Sequence, residues 1–240
     1  MRGLLPPSES WLDATAVVES YRPPPGRFVR ANFVHALDGA TSVDGASAGL
    51  GSDADHQVFT VLRAWCDAVL VGHGTASGEG YGPVGADAEV AELRAELGRP
   101  ADAPVVVVSR RASLAPGDRL SAPPTVLVTC ASADPDRRSA LTEAGVQVLV
   151  CGEDDVDLPA ALDALAARGL EQVLCEGGPS LVRAAVAADV VDELCLTTAP
   201  LLVGGAAGLL GDHGLPTPRA VRLVQLLEED GVLLARYSLR

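Results

Sequence analysis

The chain has 240 residues and a formal net charge of −14, and hydrophobic residues make up 48% of it while aromatic residues make up only 3%. All of its 18 strongly basic residues are arginines, so a Schiff-base lysine, a pyridoxal phosphate anchor and a P-loop lysine are excluded. The acidic balance argues against a general nucleic-acid binder, because phosphate backbones need a basic surface.

Cysteine and histidine placement indicates the compartment and the absence of a metal site. No C-x-x-C pair occurs among the cysteines, which predicts reduced, buried thiols: Cys66, Cys130, Cys151, Cys175 and Cys195. The first residues lack the apolar core of a signal peptide, and no apolar run is as long as a membrane span. The histidines have no metal-ligand spacing: His35, His56, His73 and His213. We expect a cytoplasmic protein that binds neither a membrane nor a metal.

The hydrophobic pattern predicts alternating strands and helices after a proline-rich arm at residues 1–26 that holds at most one short helix. Strands are predicted at 28–36, 67–72, 105–109, 125–129, 146–150, 172–175 and 191–198. Helices are predicted at 53–65, 86–97, 137–143, 158–168 and 179–187. Segments 221–228 and 231–239 form a hairpin around Asp230-Gly231. The alternation predicts one α/β domain at 27–240, a mainly parallel central sheet flanked by helices, with an antiparallel C-terminal hairpin.

The turn after the strand at 172–175 reads C-E-G-G-P-S-L. Glycines let the backbone approach a ligand, proline suits the first turn of a helix, and a helix N-terminus favours a phosphate. This pattern indicates a cofactor-phosphate site at Gly177, Gly178, Pro179, Ser180 and Leu181. A plain strand-to-helix turn with two glycines fits it equally well.

Two further strands end in residues that suit a phosphate. Thr75 follows the strand 67–72 and a glycine turn, and it either caps the next segment or binds a cofactor phosphate. The strand 105–109 ends in Ser109-Arg110-Arg111, which would grip the 2′-phosphate of NADPH or would be solvated. Neither turn has the G-x-G-x-x-G spacing of an ordinary dinucleotide-binding fold.

Asp38 begins a long Gly- and Ser-rich loop that ends at Gly51. A carboxylate at a strand end before such a loop is typical of one wall of a substrate site, where Asp38 would accept hydrogen bonds from an aminopyrimidine ring. Asp38-Gly39 also fits a simple turn. No G-x-S-x-G elbow or H-E-x-x-H helix is present, so the loops favour a redox cofactor site over a hydrolase.

Taken in order, several stretches resemble the reductase domain of the bacterial bifunctional riboflavin-biosynthesis deaminase/reductase, the pyrimidine reductase family. They are residues 32–41, 62–64 with 67–75, 105–109, 175–184, 191–194 and 199–205. The resemblance covers roughly residues 28–238 and implies a dihydrofolate-reductase-like fold. The H-x-E and P-C-x-x-C zinc signature of a deaminase does not occur in the sequence.

The resemblance implies that NADPH is the cofactor and that the protein is a homodimer, with the apolar stretch 191–202 as a candidate interface. By resemblance, the cofactor contacts are Val34, Gly49, Thr75, Glu79, Ser109, Gly178, Pro179, Ser180 and Leu181. The implied substrate contacts are Ser47, Arg63 and Glu176, with Arg63 suited to a substrate phosphate. The sequence departs from the family after Glu79, where an arginine that helps to hold the substrate is missing, and at Gly49, where a large residue is usual.

The resulting expectation is hydride transfer from NADPH to a small heterocyclic substrate, a ribosylaminopyrimidine 5′-phosphate, with water as the proton source because no general acid stands out. A dihydrofolate or pterin reductase of the same fold is the first alternative, favoured by the missing arginine and by Asp38 as a ring anchor. The second alternative is a protein that binds NADPH without turnover.

Overall fold

The computed structural model describes residues 1–121, 124–204, 208–211 and 214–240. The predicted His213, and Gly205 of the stretch 199–205, lie outside the described residues. The strands are β1 (Arg2–Leu5), β2 (Phe28–Ala36), β3 (Ala68–Gly72), β4 (Val105–Val108), β5 (Val126–Thr129), β6 (Gln147–Val150), β7 (Gln172–Gly177), β8 (Glu193–Ala199), β9 (Arg222–Glu229) and β10 (Val232–Ser238). The helices are α1 (Ala14–Ser20), α2 (Asp53–Trp65), α3 (His73–Gly78), α4 (Ala88–Glu96), α5 (Pro135–Glu143), α6 (Leu158–Ala166) and α7 (Pro179–Ala187).

The described strands form one sheet in the order β1-β9-β10-β8-β2-β7-β3-β4-β5-β6. Every neighbouring pair from β8 through β2 to β6 is parallel, which confirms the predicted mainly parallel sheet. Parallel strands covered on both faces read as continuous apolar runs, as in the V-V-V-V of β4. Along β4, Val105 and Val107 face one core and Val106 faces the other. Helices α2 and α4 cover the first face, and α6 and α7 cover the second.

The C-terminal hairpin is confirmed as an antiparallel pair of β9 and β10. Asp230 and Gly231 both have positive φ angles, 51° and 82°, as a two-residue turn between twisted strands requires. β10 also pairs antiparallel with β8, so the hairpin extends the sheet beyond its parallel block.

The proline-rich arm of residues 1–26 packs against the sheet. β1 pairs antiparallel with β9 at the sheet edge, and the amino group of Met1 lies 3.4 Å from the carboxylate of Glu229. α1 is held to α2 because the indole of Trp65 donates a hydrogen bond of 2.9 Å to the carbonyl of Val18. β1 was not predicted, since four residues followed by Pro6 and Pro7 give no strand periodicity.

The stretch 191–194 has a structural role in this fold. Glu193, at the start of β8, is buried and accepts hydrogen bonds from Arg30 at 2.5 Å and from Arg236 at 2.7 and 3.1 Å. Burial by itself raises the pKa of Glu193, but the two guanidiniums outweigh burial and hold the pKa below its usual value. The carboxylate therefore joins β2, β8 and β10 in the middle of the sheet.

Candidate active site

A cleft of about 1070 Å³ lies over the sheet at the end where β2, β3 and β7 finish. Ligands of α/β sheets collect at the carboxyl ends of the strands, so this is the expected place for a site. Eight of the residues singled out in the sequence line the cleft: Val34, Ser47, Arg63, Thr75, Glu79, Glu176, Gly178 and Pro179. The structure thus brings together residues that are up to 145 positions apart in the chain, from strands, helices and loops that meet at this end of the sheet.

The two glycine turns predicted from the sequence meet at the bottom of this cleft. A Cβ atom on Gly178 would lie 2.4 Å from the hydroxyl oxygen of Thr75, so only glycine fits. Gly177 has a φ angle of +94°, and the peptide bond that joins it to Gly178 is cis. The backbone that ends β7 and the hydroxyl of Thr75, in α3 directly after β3, therefore share one surface, which suits a phosphate.

α7 begins directly after this turn and points its N-terminus at the cleft. Pro179 occupies the first turn, and no side chain caps the helix. The free N–H groups and the dipole of an uncapped N-terminus favour an anion. Of the neighbouring predicted residues, Ser180 is exposed on the helix, whereas Leu181 and Gly177 are buried beneath the turn and do not line the cleft.

Glu176, the residue before the glycine pair, is held by Arg63 and Tyr81. Nε and Nη2 of Arg63 donate to its two carboxylate oxygens at 2.8 Å each, and the hydroxyl of Tyr81 donates at 2.7 Å. Only 3% of the Glu176 side chain and 16% of the Arg63 side chain are exposed. The bidentate pair is therefore rigid, and one lone pair of Oε1 stays open to a ligand hydroxyl.

Tyr81 and Phe59 complete this arrangement, and sequence reasoning missed both. The guanidinium of Arg63 lies 4.2 Å from the centre of the Phe59 ring and 5.5 Å from that of Tyr81. Burial, followed by the negative charge of Glu176, raises the pKa of Tyr81, so its hydroxyl stays a donor. Burial alone would lower the pKa of Arg63, but Glu176 outweighs it and raises the pKa. The spacing of Phe59 and Arg63, one helical turn apart, was the available signal.

The opposite wall of the cleft carries hydroxyl and carboxyl groups. The hydroxyl of Ser47 donates to Glu79 at 3.1 Å, which joins a predicted substrate contact to a predicted cofactor contact. Asp55, from the first turn of α2, lines the same wall. Burial raises the pKa of Asp55, against the opposing effect of a hydrogen bond from Thr197 and of the nearby His56. Asp55 thus holds a proton beside the cleft at higher pH than an ordinary aspartate does.

Comparisons with known proteins place this arrangement in a family. The model of the RibD C-terminal domain matches residues 27–232, which is most of the chain. This chain belongs to the RibD C-terminal domain family. The resemblance stated from the sequence is therefore confirmed.

Named relatives and solved structures agree with this assignment. The domain is 32% identical over 181 residues to the 2,5-diamino-6-ribosylamino-4(3H)-pyrimidinone 5′-phosphate reductase of Methanothermobacter thermautotrophicus, covering 74% of this chain and 80% of the relative. Its structure matches a pyrimidine reductase-like protein from Corynebacterium diphtheriae with a TM-score of 0.80 at 28% identity, covering 95% and 98% of the two chains. It also matches RibD of Acinetobacter baumannii at a TM-score of 0.70 and 22% identity, covering 89% of this chain and 58% of that one, a likeness of fold. The dihydrofolate-reductase-like fold class is confirmed.

Besides Gly177, Ser180 and Leu181, four further predicted site residues of this RibD C-terminal domain do not line the cleft. Asp38 is exposed and accepts backbone hydrogen bonds from Val203 and Gly204 at 3.0 and 2.5 Å. Those bonds lower the pKa of Asp38, and they hold the loop that follows β8 in place. Gly49 packs so closely that a Cβ would lie 2.8 Å from Val43, which explains why a large residue is absent here.

Ser109 and Arg110 lie at the end of β4, beside the cleft lining and outside it. The hydroxyl of Ser109 is buried and accepts a hydrogen bond of 2.9 Å from the N–H of Ser113. Arg110 is exposed, and no ion pair joins it to another described residue of the domain. A guanidinium in this state is available to an anion that extends past the cleft.

All five cysteines of the domain are buried free thiols. Burial raises the pKa of Cys66, Cys175 and Cys195 to about 12, so none of these three is a ready nucleophile. Within the described ranges, no group of three or more His, Cys, Asp or Glu side chains is placed to hold a metal ion. No helix in those ranges is both long and apolar enough to span a membrane.

Proposed function

We propose that this chain is an NADPH-dependent reductase of riboflavin biosynthesis that converts the ribosylamino group of a diaminopyrimidine 5′-phosphate to the ribitylamino form. One observation carries the proposal: Glu176 stands at the end of β7, fixed by Arg63, directly before a glycine turn that leads into an uncapped helix. This places a substrate-orienting carboxylate next to a phosphate-binding turn. The substrate class follows from the named reductases to which the chain is similar.

The residues of the cleft fit NADPH. The close approach of Gly178 to Thr75 leaves a bare backbone surface, and the N-terminus of α7 supplies the dipole for the pyrophosphate. Three of the remaining proposed contacts line the cleft, Val34, Glu79 and Pro179, and five lie outside its lining: Gly49, Ser109, Arg110, Ser180 and Leu181. When bound, the reduced nicotinamide supplies a hydride to C1 of the ribosylamino group.

The protein's own residues bind and orient the substrate. Oε1 of Glu176 accepts a hydrogen bond from a sugar hydroxyl, and the Arg63 pair keeps that oxygen in place. Ser47, linked to Glu79, contacts the substrate from the opposite wall. Positioning of the two reactants and exclusion of bulk water then account for catalysis, and a water molecule delivers the proton.

The proposal includes a cytoplasmic homodimer in which residues 27–240 form the reductase domain, with residues 1–26 as an arm. The side chains of β8 are alternately buried within the fold, so the apolar stretch 191–202 offers an interface mainly at its end. There Leu202 is 80% exposed beside the exposed Leu201 and Leu37, whose N–H donates to the carbonyl of Leu201. An exposed group of this kind is typical of a protein interface.

Loss of NADPH absorbance tests the function, with the ribosylaminopyrimidine 5′-phosphate and dihydrofolate offered separately to the same enzyme. We expect turnover of the pyrimidine, a loss of turnover in Glu176→Gln, and no change in the matched surface variant Arg222→Ala. Turnover of dihydrofolate alone would replace the proposal by the pterin-type reductase. NADPH binding without reduction of either compound would leave a non-catalytic nucleotide-binding protein.

Cofactor specificity is tested separately with Arg110→Ala. Its exposed guanidinium is the proposed ligand of the 2′-phosphate, so KM for NADPH should rise by about tenfold or more while KM for NADH stays the same. An equal effect on both cofactors would contradict this assignment.

A further inference from the structure

A second guanidinium reaches the cleft from a part of the chain that the site has not yet used. Arg119 lies in the loop between β4 and β5 and begins the short helical turn Arg119–Ser121. Its side chain lines the cleft, and its Nη1 donates to the carbonyl of Gly80 at 3.4 Å. The next residue, Leu120, is buried, and the hydroxyl of Ser121 donates to the carbonyl of Ala115 at 2.6 Å. The loop is thus anchored at the point from which Arg119 extends.

Gly82 provides the surface over which the Arg119 side chain lies. A Cβ atom on Gly82 would be 2.6 Å from both Nε and Nη2 of Arg119, and 2.8 Å from Cζ. The φ angle of Gly82 is not in the left-handed region, so the backbone itself does not require glycine here. A side chain at this position would therefore require the guanidinium of Arg119 to move aside.

The charges of the cleft leave Arg119 as the group that is available to an anion. Five carboxyl groups and two guanidiniums are found among the described lining residues: Asp53, Asp55, Glu79, Asp87 and Glu176, with Arg63 and Arg119. Glu176 accepts two hydrogen bonds from Arg63 and balances its charge, and His56 lies against Glu89 at 3.2 Å. No ion pair joins Arg119 to any described residue, and the carboxylate of the adjacent Asp118 accepts a hydrogen bond from the N–H of Ala115.

We propose that Arg119 binds the 5′-phosphate of the substrate and is the residue that selects a phosphorylated pyrimidine. The inference rests on the proposed function. A dianion entering a cleft with more carboxylates than guanidiniums needs an unpaired cation, and a guanidinium matches phosphate geometry with paired donors. Arg63 does not serve this purpose, because the bidentate bond to Glu176 already uses its charge.

The kinetic test compares Arg119→Ala, Arg119→Lys and the matched control Arg222→Ala, an exposed arginine on β9. With the phosphorylated pyrimidine, Arg119→Ala should raise KM by about 10- to 100-fold with little change in kcat, and Arg119→Lys should recover part of the loss. With the phosphatase-treated nucleoside, wild type and Arg119→Ala should have the same KM. Equal KM values for the phosphorylated substrate would overturn the proposal. A rise in the Kd of NADPH instead would assign Arg119 to the cofactor and overturn it as well.

A double-mutant cycle with Gly82→Ala tests the geometry. The added methyl group should raise KM for the phosphorylated substrate in the wild-type background by displacing the guanidinium. It should have little further effect in Arg119→Ala, where no guanidinium remains to be displaced. Equal effects in the two backgrounds would contradict the packing of Arg119 over Gly82 as the cause.

A binding experiment keeps this inference separate from the proposed function. Ribose 5-phosphate and ribose are titrated calorimetrically against wild type, Arg119→Ala and Arg222→Ala. A preference for the phosphate that disappears only in Arg119→Ala supports the anion site even if the pyrimidine is never reduced. A preference that persists in Arg119→Ala, or that is absent from wild type, overturns the inference even if the pyrimidine is reduced.

Discussion

Removing either partner of the Arg63–Glu176 pair should destabilise the protein, and by unequal amounts. Arg63→Met leaves a carboxylate whose side chain is only 3% exposed, whereas Glu176→Gln leaves a guanidinium that is 16% exposed and can reach water. Breaking a buried ion pair costs about 3–5 kcal/mol. We expect a loss of about 3 kcal/mol for Arg63→Met and about 2 kcal/mol for Glu176→Gln. Both losses are a large fraction of the 5–15 kcal/mol that is typical of the unfolding free energy of a domain.

The double variant Arg63→Met/Glu176→Gln should lose less than the sum of the two, with a coupling energy of at least about 1.5 kcal/mol. Urea unfolding with a common m-value measures all four proteins. As the control cycle, the exposed pair of Arg2 and Glu228, whose atoms lie 3.1 Å apart, should couple by less than about 1 kcal/mol. If the two losses at Arg63 and Glu176 add within about 0.5 kcal/mol, the pair does not form in solution and the reading of the site is wrong.

Three further predictions concern titration and assembly. Burial raises the pKa of Asp55 above its ordinary value of 3.8, so its stabilising contribution is complete below that pH and is lost as the pH rises through the folded-state pKa. The Tm of Asp55→Asn relative to wild type should therefore increase from pH 4 to about pH 7, and a constant difference would contradict the raised pKa. The pKa of Glu193 is held below 4.5, so Glu193→Gln should lower the free energy of unfolding by about 3 kcal/mol at neutral pH. In urea titrations, the difference in unfolding free energy between wild type and variant should shrink as the pH falls below about 4.5. Leu202→Asp should convert the proposed dimer to a monomer in sedimentation equilibrium without lowering Tm, and an unchanged mass would contradict the proposed interface.

The parallel core was predictable because its signal is local. Continuous apolar runs such as V-V-V-V of β4 are typical of strands that are covered on both faces, and Asp230-Gly231 is a strong turn signal. β1 escaped prediction because its pairing with β9 joins residues more than 200 positions apart and leaves no period in a four-residue segment.

The candidate site was only partly predictable, for the same reason. The glycine turn at 177–178 and Thr75 were found because residues at strand ends of a parallel sheet must meet at one edge, and Glu176 was found through the family resemblance. Asp38 carries the same kind of signal, yet its carboxylate binds backbone N–H groups of the following loop. Sequence position alone did not distinguish these two uses of a carboxylate at a strand end.

The sequence by itself determined most of the elements, the parallel sheet and the family, because these depend on short-range periodicity and on motifs in a fixed order. Only the tertiary structure decided which charged side chains are already paired within the protein. It pairs Arg63 with Glu176 across 113 positions and leaves Arg119 free of ion pairs among the described residues, and neither outcome has a local signal. Side-chain electrostatics depend on distances of a few ångströms between remote residues, and the folded chain alone sets those distances.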